Sequence, residues 1–367
     1  MKLSHLNLPV LVLCTGFFIL SCEPETPWVQ SNAPNNEPLR DFQMKSNKKD
    51  ASSLNLQKGD FSPLFGENLQ KIAMSDIPPS ECSNTEFSEV QWKYFSEVAG
   101  DQIATNLLNR YLEFNHYAPL WGIGSHYFGE NGEYTRHVLK VKRDLERFWN
   151  TDMEIQVLGQ HSSTLNNPDE ILEILWRFVA DVENKEDLLP LVKEYIEQNN
   201  LSNNLPENPL FSSEGYSNLR NQIVLGDGLI RMFSETGIDP KIVWTGILSH
   251  EWTHQIQINY FEGYDLPFQY IETRVVELEA DFMSGYYMTH KRGATYNWKR
   301  VEQFFSLFYQ AGDCAFENQF HHGTPQERMA ATRAGYELAA SAQKKGKILS
   351  IEQMHEYFLT VVLPEVS

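Results

Sequence analysis

The segment His250-Glu251-Trp252-Thr253-His254 is the part of the sequence that most restricts how the chain can fold. Side chains four positions apart lie about one turn apart on the same face of an α-helix, so the two imidazoles can reach one partner. This spacing suits two ligands of one zinc ion, and Glu251 lies near enough to take a proton from water on that ion. The pattern also arises by chance, so the surrounding sequence has to support it.

The residues around this segment predict one long helix. Asp239 is a good N-cap, and Pro240 suits the first helical position, where its missing N–H is not needed. Apolar residues and both histidines then follow at spacings of three and four: Val243, Ile247, His250, His254 and Ile258. The histidines therefore continue a core-facing stripe, where a buried polar group needs a partner. Backbone carbonyls are one possible set of partners, but a shared ion also satisfies the carboxylate between the rings.

A second helical segment, residues 271–293, offers the third protein ligand that catalytic zinc sites usually have. Glu277 and Asp281 are four apart and share a face, whereas Glu279 points elsewhere and is predicted to be a solvated helix charge. Glu277 lies 23 residues after His254, which leaves room for a loop and an antiparallel helix. The alternative for Glu277 is a solvated charge as well. Small residues on this segment predict a close helix contact: Ala280, Ser284 and Gly285.

A third element begins after residue 321. Thr324, Pro325 and Glu327 have the pattern of a helix start, with an N-cap, a proline at the first position and a capping-box glutamate. His322 precedes this start and Arg328 follows it by one turn. The two residues are either parts of a site or a loop histidine and a surface charge. His321 competes with His322 for any role.

HEWTH, the later ELEAD run that contains Glu277 and Asp281, and the HG…R run that contains His322 and Arg328 together resemble the gluzincin metallopeptidases. The pattern is similar to a bacterial family of neutral zinc metallopeptidases, and the resemblance covers residues 220–340. The chain has Glu327 where the pattern has glutamine before the arginine. The helical and strand patterns along the chain predict an α+β fold that is mostly helical with a small sheet. The resemblance implies that this fold is zincin-like, with an active-site helix that carries HEWTH.

The resemblance also implies a role for each site residue. His250, His254 and Glu277 would bind one Zn²⁺ ion, and Glu251 would be the general base. Asp281 would orient a zinc-bound histidine, and second-shell carboxylates do this in many zinc sites. His322 would donate a hydrogen bond to the oxyanion of the reaction, and Arg328 would hold the Asp281 carboxylate.

These roles imply a zinc-dependent metalloendopeptidase that acts on a peptide or protein substrate. Two other functions stay open. One is a non-catalytic binding protein stabilised by zinc, although structural zinc sites are usually closed by four ligands, whereas this sequence offers three and a glutamate at the base position. The other is a zinc amidase with a non-peptide substrate. Peptide substrates of such enzymes lie along an exposed strand edge, and residues 221–233 are either that edge or an ordinary internal strand with a turn at Gly226-Asp227-Gly228.

The start of the chain has the features of an export signal. A positive start precedes an apolar stretch of 13 residues from Leu8 to Leu20, which is too short to span a bilayer. Ile19-Leu20-Ser21-Cys22 resembles a bacterial lipobox, which predicts a signal peptide over residues 1–21 and a lipid on Cys22. An uncleaved anchor or an ordinary cleaved signal is the alternative. Residues 22–80 hold seven of the 17 prolines and few apolar residues, so they are predicted to be a disordered tether.

Bulk properties complete the prediction. A net charge of −19 disfavours nucleic acid and anionic lipid surfaces as partners, so the membrane is contacted only through the lipid, at the periplasmic face or the cell surface. Residues 81–367 are long enough for one catalytic domain or for two lobes, 81–235 and 236–367. Cys82 and Cys314 could pair outside the cytoplasm, and two buried free thiols are the alternative.

Overall fold

In the computed structural model, the described residues are 82, 84–178, 182–261, 273–295, 298–314, 321–343 and 347–366. The predicted signal peptide, the lipid-bearing Cys22 and the tether lie outside them. The first helices are α1 (Glu86–Ala99), α2 (Gln102–Leu120), α3 (Thr135–Trp149), α4 (Pro168–Phe178), α5 (Leu189–Leu201) and α6 (Asp227–Glu235). The later ones are α7 (Pro240–Tyr260), α8 (Thr273–Thr289), α9 (Trp298–Gln310), α10 (Pro325–Gln343), α11 (Ile351–Tyr357) and α12 (Leu363–Val366). The strands are β1 (Gln156–Gln160), β2 (Gly215–Asn218) and β3 (Gln222–Gly226).

The three strands form one small sheet in the order β1-β3-β2. β1 runs parallel to β3, with Gln156 opposite Gln222, and β2 runs antiparallel to β3, with Gly215 opposite Leu225. The fold is therefore mostly helical with a small three-stranded sheet, which confirms the predicted α+β class.

Residues 221–233 are not an edge strand followed by a turn. Residues 222–226 form the central strand, and the chain enters α6 directly at Asp227. The apolar residues beyond this point are spaced for a helix and are all buried: Leu229, Ile230, Met232 and Phe233. The edge strands of the sheet are β1 and β2, each of which pairs with β3.

Helix α7 lies at the centre of the molecule. Every residue from Ile242 to Gln257 is buried, as expected for a helix that is surrounded by other elements on all sides. Its start follows the sequence signals, because the Asp239 side chain accepts a hydrogen bond from the Lys241 N–H and Pro240 occupies the first position. The helix packs against β2, β3, α3, α6, α8 and α9.

Helices α8 and α10 make the most extensive contact in the fold. Their backbones touch at two glycines: a Cβ on Gly285 would lie 2.2 Å from the Thr332 carbonyl oxygen, and one on Gly335 would lie 2.1 Å from that of Phe282. Both positions therefore require glycine. One contiguous cluster of buried residues extends from Phe87 to Leu363, so both predicted lobes contribute to it.

Cys82 and Cys314 are joined by a disulfide with their Cα atoms 5.7 Å apart. The bond attaches the segment before α1 to the segment that follows α9. Among the described residues, no helix is both long enough and apolar enough to cross a membrane.

Candidate metal centre

Helices α7 and α8 pack antiparallel, and this pairing brings the two sequence patterns together. In the middle of α7, the Ser249 hydroxyl bonds the Ser284 hydroxyl. The next residue, His250, bonds Asp281, and two turns further along the Gln257 amide donates to the Val276 carbonyl at 3.0 Å. Residue numbers rise along one helix as they fall along the other, so the face with His250 and His254 lies against the face with Glu277 and Asp281.

Three side chains converge at this contact. His250 Nε2 lies 3.2 Å from Glu277 Oε2, and His254 Nε2 lies 3.4 Å from Glu277 Oε1. The two Nε2 atoms are 3.0 Å apart. Ligand atoms at ordinary zinc bond lengths in a tetrahedral arrangement are about 3.3 Å apart, so all three separations are close to that value. His250, His254 and Glu277 could therefore hold a metal ion.

Hydrogen bonds fix how the two imidazole rings present their nitrogens. His250 Nδ1 lies 2.9 Å from Asp281 Oδ1, so it donates to a carboxylate. His254 Nδ1 lies 2.8 Å from Gln257 Oε1, and the Gln257 Nε2 donates to the Val276 carbonyl and to Glu279 Oε2. Because both Nδ1 atoms are donors, both neutral rings present an Nε2 lone pair to Glu277.

The charge of the centre fits a cation. Two Nε2 lone pairs and a carboxylate face one another in a buried place, an arrangement that is unfavourable unless positive charge lies between them. The carboxylates of Glu251, Glu277 and Asp281 are all buried, and the only arginine that the described ion pairs bring to them is Arg328. Negative charge is thus in excess, and the donor set of two imidazoles and one carboxylate is one that zinc commonly takes.

Arg328 connects α10 to this centre. Its guanidinium makes two hydrogen bonds to the Asp281 carboxylate, Nε to Oδ2 at 2.7 Å and Nη2 to Oδ1 at 2.9 Å. Nη2 also lies 3.3 Å from Glu277 Oε2. Arg328 is fully buried, so the predicted alternative of a surface charge is wrong. The guanidinium holds Asp281 against His250 and contacts a candidate ligand directly.

Glu251 has two carboxylate oxygens in different surroundings. Its Oε2 accepts a hydrogen bond of 3.0 Å from the Ser217 hydroxyl on β2, and that hydroxyl also lies 2.8 Å from the Glu251 carbonyl oxygen. Its Oε1 is buried and has no hydrogen-bond partner among the described residues. A buried acceptor without a partner is costly, and it marks an atom that is available for a ligand or water.

The two glutamates of the centre have opposite pKa shifts. Burial raises the pKa of Glu251, although His254 and His250 act in the other direction. Burial also disfavours the charged form of Glu277, but His254 and His250 outweigh it and hold the pKa of that carboxyl well below its usual range. Glu277 is thus kept as an anion, whereas Glu251 binds a proton more readily than an ordinary glutamate.

His322 lies in a second cluster with Asp313. The Asp313 Oδ2 accepts from the His322 N–H at 2.9 Å and from its Nδ1 at 3.1 Å, and Oδ1 lies 2.5 Å from His321 Nδ1. Burial opposes the charge on Asp313, but the bonds from His321 and His322 outweigh it and hold the pKa of the carboxyl well below its usual range. The His322 Nε2 is buried and has no hydrogen-bond partner within the part of the chain that the structure describes. His321 and His322 therefore both bond the Asp313 carboxylate through Nδ1. Of the His322 ring, Nε2 is the nitrogen available for a further partner.

The start of α10 has the predicted capping box. The Thr324 N–H donates to Glu327 Oε2 at 2.8 Å, and the Glu327 N–H donates to the Thr324 hydroxyl at 3.2 Å. Glu327 also forms a buried ion pair with Arg274 of α8. Gly323, just before this start, has φ of +103°, which side-chain-bearing residues rarely adopt. The box orients α10 so that Arg328 enters the centre.

Glu279 was expected to be a solvated helix charge, and this expectation is wrong. The residue is fully buried, and its carboxylate accepts from Gln257 Nε2 at 3.0 Å and from His355 Nδ1 at 2.6 Å. Because α8 is covered by α7, α10 and the C-terminal helices, it has no solvated face.

Sequence reasoning also missed Gln257, Ser217 and Asp313. Gln257 had a signal in its spacing, because it lies three positions after His254 on the same helix face. Ser217 and Asp313 are brought to the site only by tertiary packing.

Comparison with known proteins finds no match for this chain among protein-family models, curated proteins or solved structures.

Proposed function

We propose that the protein is a zinc-dependent metalloendopeptidase of the gluzincin type. The observation that carries the proposal is a buried group of two histidines and a glutamate beside a second glutamate, Glu251, one oxygen of which has no partner among the residues that the structure describes. His250, His254 and Glu277 would hold the ion. A bound zinc ion would supply Lewis-acid polarisation of the scissile carbonyl and activation of water near neutral pH.

Glu251 would accept the proton of the attacking water at Oε1 and return it to the leaving amine. Its raised pKa suits this exchange, because a base that holds a proton more readily than ordinary glutamate can also deliver it. Ser217 would hold Oε2, so that Oε1 keeps one orientation through the cycle.

His322 would stabilise negative charge on the carbonyl oxygen through Nε2. Because Nδ1 faces Asp313, the ring donates through Nε2 when both nitrogens carry protons. An extended substrate would pair with β2, an edge strand of the sheet that also carries Ser217.

We also propose that the protein is exported and attached to a membrane by a lipid. Residues 1–21 would direct export, Cys22 would carry lipid, and residues 22–80 would hold the catalytic part away from the membrane at the periplasmic face or cell surface.

A Glu251→Gln variant tests the catalytic role. We expect it to bind zinc as the wild type does and to cleave a peptide library at least about a hundredfold more slowly, since the base is lost and the ligands are intact. Glu277→Gln is the matched control, because it changes a glutamate of equal burial and should lose zinc instead. Zinc content is measured by elemental analysis and cleavage by mass spectrometry with and without a chelator. Equal cleavage by wild type and Glu251→Gln contradicts the proposal.

One observation favours a second candidate, a non-catalytic binding protein stabilised by zinc. All three ligand side chains are at most 1% exposed, and structural zinc sites are closed to solvent. If this second candidate is correct, the wild type and Glu251→Gln both contain zinc, and neither of them cleaves any peptide. A zinc amidase with a non-peptide substrate predicts cleavage of a cell-wall fragment that is lost in Glu251→Gln.

A further inference from the structure

Helix α11 (Ile351–Tyr357) is connected to the candidate metal centre by a series of buried hydrogen bonds. His254 Nδ1 bonds Gln257 Oε1 at 2.8 Å, and Gln257 Nε2 bonds Glu279 Oε2 at 3.0 Å. Glu279 Oε1 then bonds His355 Nδ1 of α11 at 2.6 Å. The His355 ring also stacks on Phe261, with ring centroids 3.9 Å apart, so its plane is held from a second side.

Each group in the chain fixes the orientation of the next. Glu279 and the Val276 carbonyl are both acceptors, and together they hold the NH₂ end of the Gln257 amide. A flipped amide would place its oxygen against both acceptors and its NH₂ group against His254, so two hydrogen bonds would become repulsive contacts. The oxygen of Gln257 therefore faces His254 Nδ1, which must be a donor, and the lone pair of His254 is directed to Nε2.

We infer that Gln257, held by Glu279 and His355, is a positioning residue that sets His254 as a metal ligand and couples α11 to the centre. The inference rests on the proposed metal centre. Asp281 has the same relation to His250 from α8, so each candidate histidine ligand has its own partner at Nδ1. The partner of His254 is an uncharged amide, and its orientation depends on an element about a hundred residues further along the chain.

Gln257→Leu tests this inference, and the chain supplies a matched control in Gln255. Both glutamines are buried on α7 and donate to two acceptors on a neighbouring element, Gln255 to the Asn218 and Gln222 carbonyls of the sheet. No described residue bonds the Gln255 Oε1, so the Gln255 amide has no hydrogen bond to a candidate ligand. We expect Gln257→Leu to weaken zinc binding about 10- to 100-fold, and Gln255→Leu to change it less than about threefold. The zinc dissociation constant is measured by competition with a chromophoric chelator.

His355→Phe is the second variant, because it keeps an aromatic ring on Phe261 and removes the hydrogen bond to Glu279. We expect it to weaken zinc binding several-fold, by about a third of the Gln257→Leu effect on a logarithmic scale. A second readout needs no metal: in protein labelled with ¹⁵N-histidine, the proton of His254 should be on Nδ1 in the wild type and shared between both nitrogens in Gln257→Leu.

These readouts separate the inference from the proposed function. If wild type takes up zinc and Gln257→Leu takes it up more weakly, the inference stands even when no peptide is cleaved. If peptides are cleaved but Gln257→Leu binds zinc as tightly as wild type, or Gln255→Leu weakens it equally, the inference is overturned and the proposed function is not. A wild-type protein that takes up no zinc overturns both.

Discussion

At Glu251, one side chain on a neighbouring strand decides which carboxylate oxygen is free. Ser217 bonds Oε2, and Oε1 is buried without a partner. The two oxygens are chemically equivalent in an isolated glutamate, so the asymmetry comes from β2 and not from α7. Two elements, α7 and β2, therefore determine the orientation of the proposed base. The HEWTH pattern indicates only α7.

Ser217→Ala should slow peptide cleavage roughly fivefold and leave zinc binding unchanged, because one hydrogen bond of about 1 kcal/mol that orients the carboxylate is lost. Ser213→Ala is the matched control: Ser213 is also buried, and its hydroxyl bonds the Leu210 carbonyl away from Glu251. The turnover number and KM are measured separately, since an orienting role lowers the former. Threonine at position 217 should restore the rate. If both serine variants are slowed equally, Ser217 has no special role.

At this scale, sequence spacing was informative about residues on one helix face. It placed His250 with His254 and Glu277 with Asp281, because those pairs follow helical geometry. It failed for Glu279, since the single-helix view assumes that one face of a helix meets water, and α8 has no such face. Ser217 and Asp313 could not be predicted, because their positions depend on how distant segments pack.

At the scale of elements, the centre depends on how closely α10 approaches α8. Arg328 reaches Asp281 and Glu277 across this contact, and Gly285 and Gly335 let the two backbones touch. The sequence indicated that Gly285 lies at a close helix contact, because Ala280 and Ser284 on the same segment are also small. It did not indicate which helix would pack there, because any helix with a complementary surface fits a small-residue stripe.

Gly335→Ala should separate the two helices, since the added Cβ would lie 2.1 Å from the Phe282 carbonyl oxygen, which is backbone and cannot rotate away. We expect a loss of about 1–3 kcal/mol in the free energy of unfolding and weaker zinc binding, because Arg328 is displaced from Asp281. Arg333→Ala on the same helix is the control, as its ion pair with Glu337 is exposed and contributes little. Denaturant unfolding and zinc titration give both quantities. A Gly335→Ala protein with wild-type values shows that the backbone contact is not needed.

The elements themselves were predicted unevenly. Helix α7 and the start of α10 follow their capping signals closely. Residues 221–233 were read as one strand with a turn, because alternation over residues 222–225 hid the change to helical spacing at Asp227. The two glycines at this boundary were read as turn residues, whereas they lie against the Ser212 and Pro209 backbone, so the pattern alone could not show that a helix starts there.

At the scale of the whole molecule, the disulfide between Cys82 and Cys314 ties the first described residues to the segment next to Asp313. Other bonds hold the same place: the Thr85 hydroxyl donates to the Gln310 carbonyl at 3.0 Å, and the Phe87 N–H donates to Gln310 Oε1 at 3.0 Å. The native contact is therefore supported without the disulfide. Its contribution should come mainly from restricting the unfolded chain, over a sequence separation of 232 residues.

A Cys82→Ser, Cys314→Ser double variant should lose up to about 5 kcal/mol in the free energy of unfolding, which is the chain-entropy value for so long a loop. Zinc affinity should change little, since His250, His254 and Glu277 lie on α7 and α8 and the bonds of Gln310 remain. Reductant should lower the stability of the wild type to that of the double variant and leave the double variant unchanged. Denaturant unfolding with and without reductant measures both. If reductant leaves the wild type unaffected at every denaturant concentration, the two cysteines do not restrict the unfolded chain, and the stability of this fold comes from its helix contacts alone.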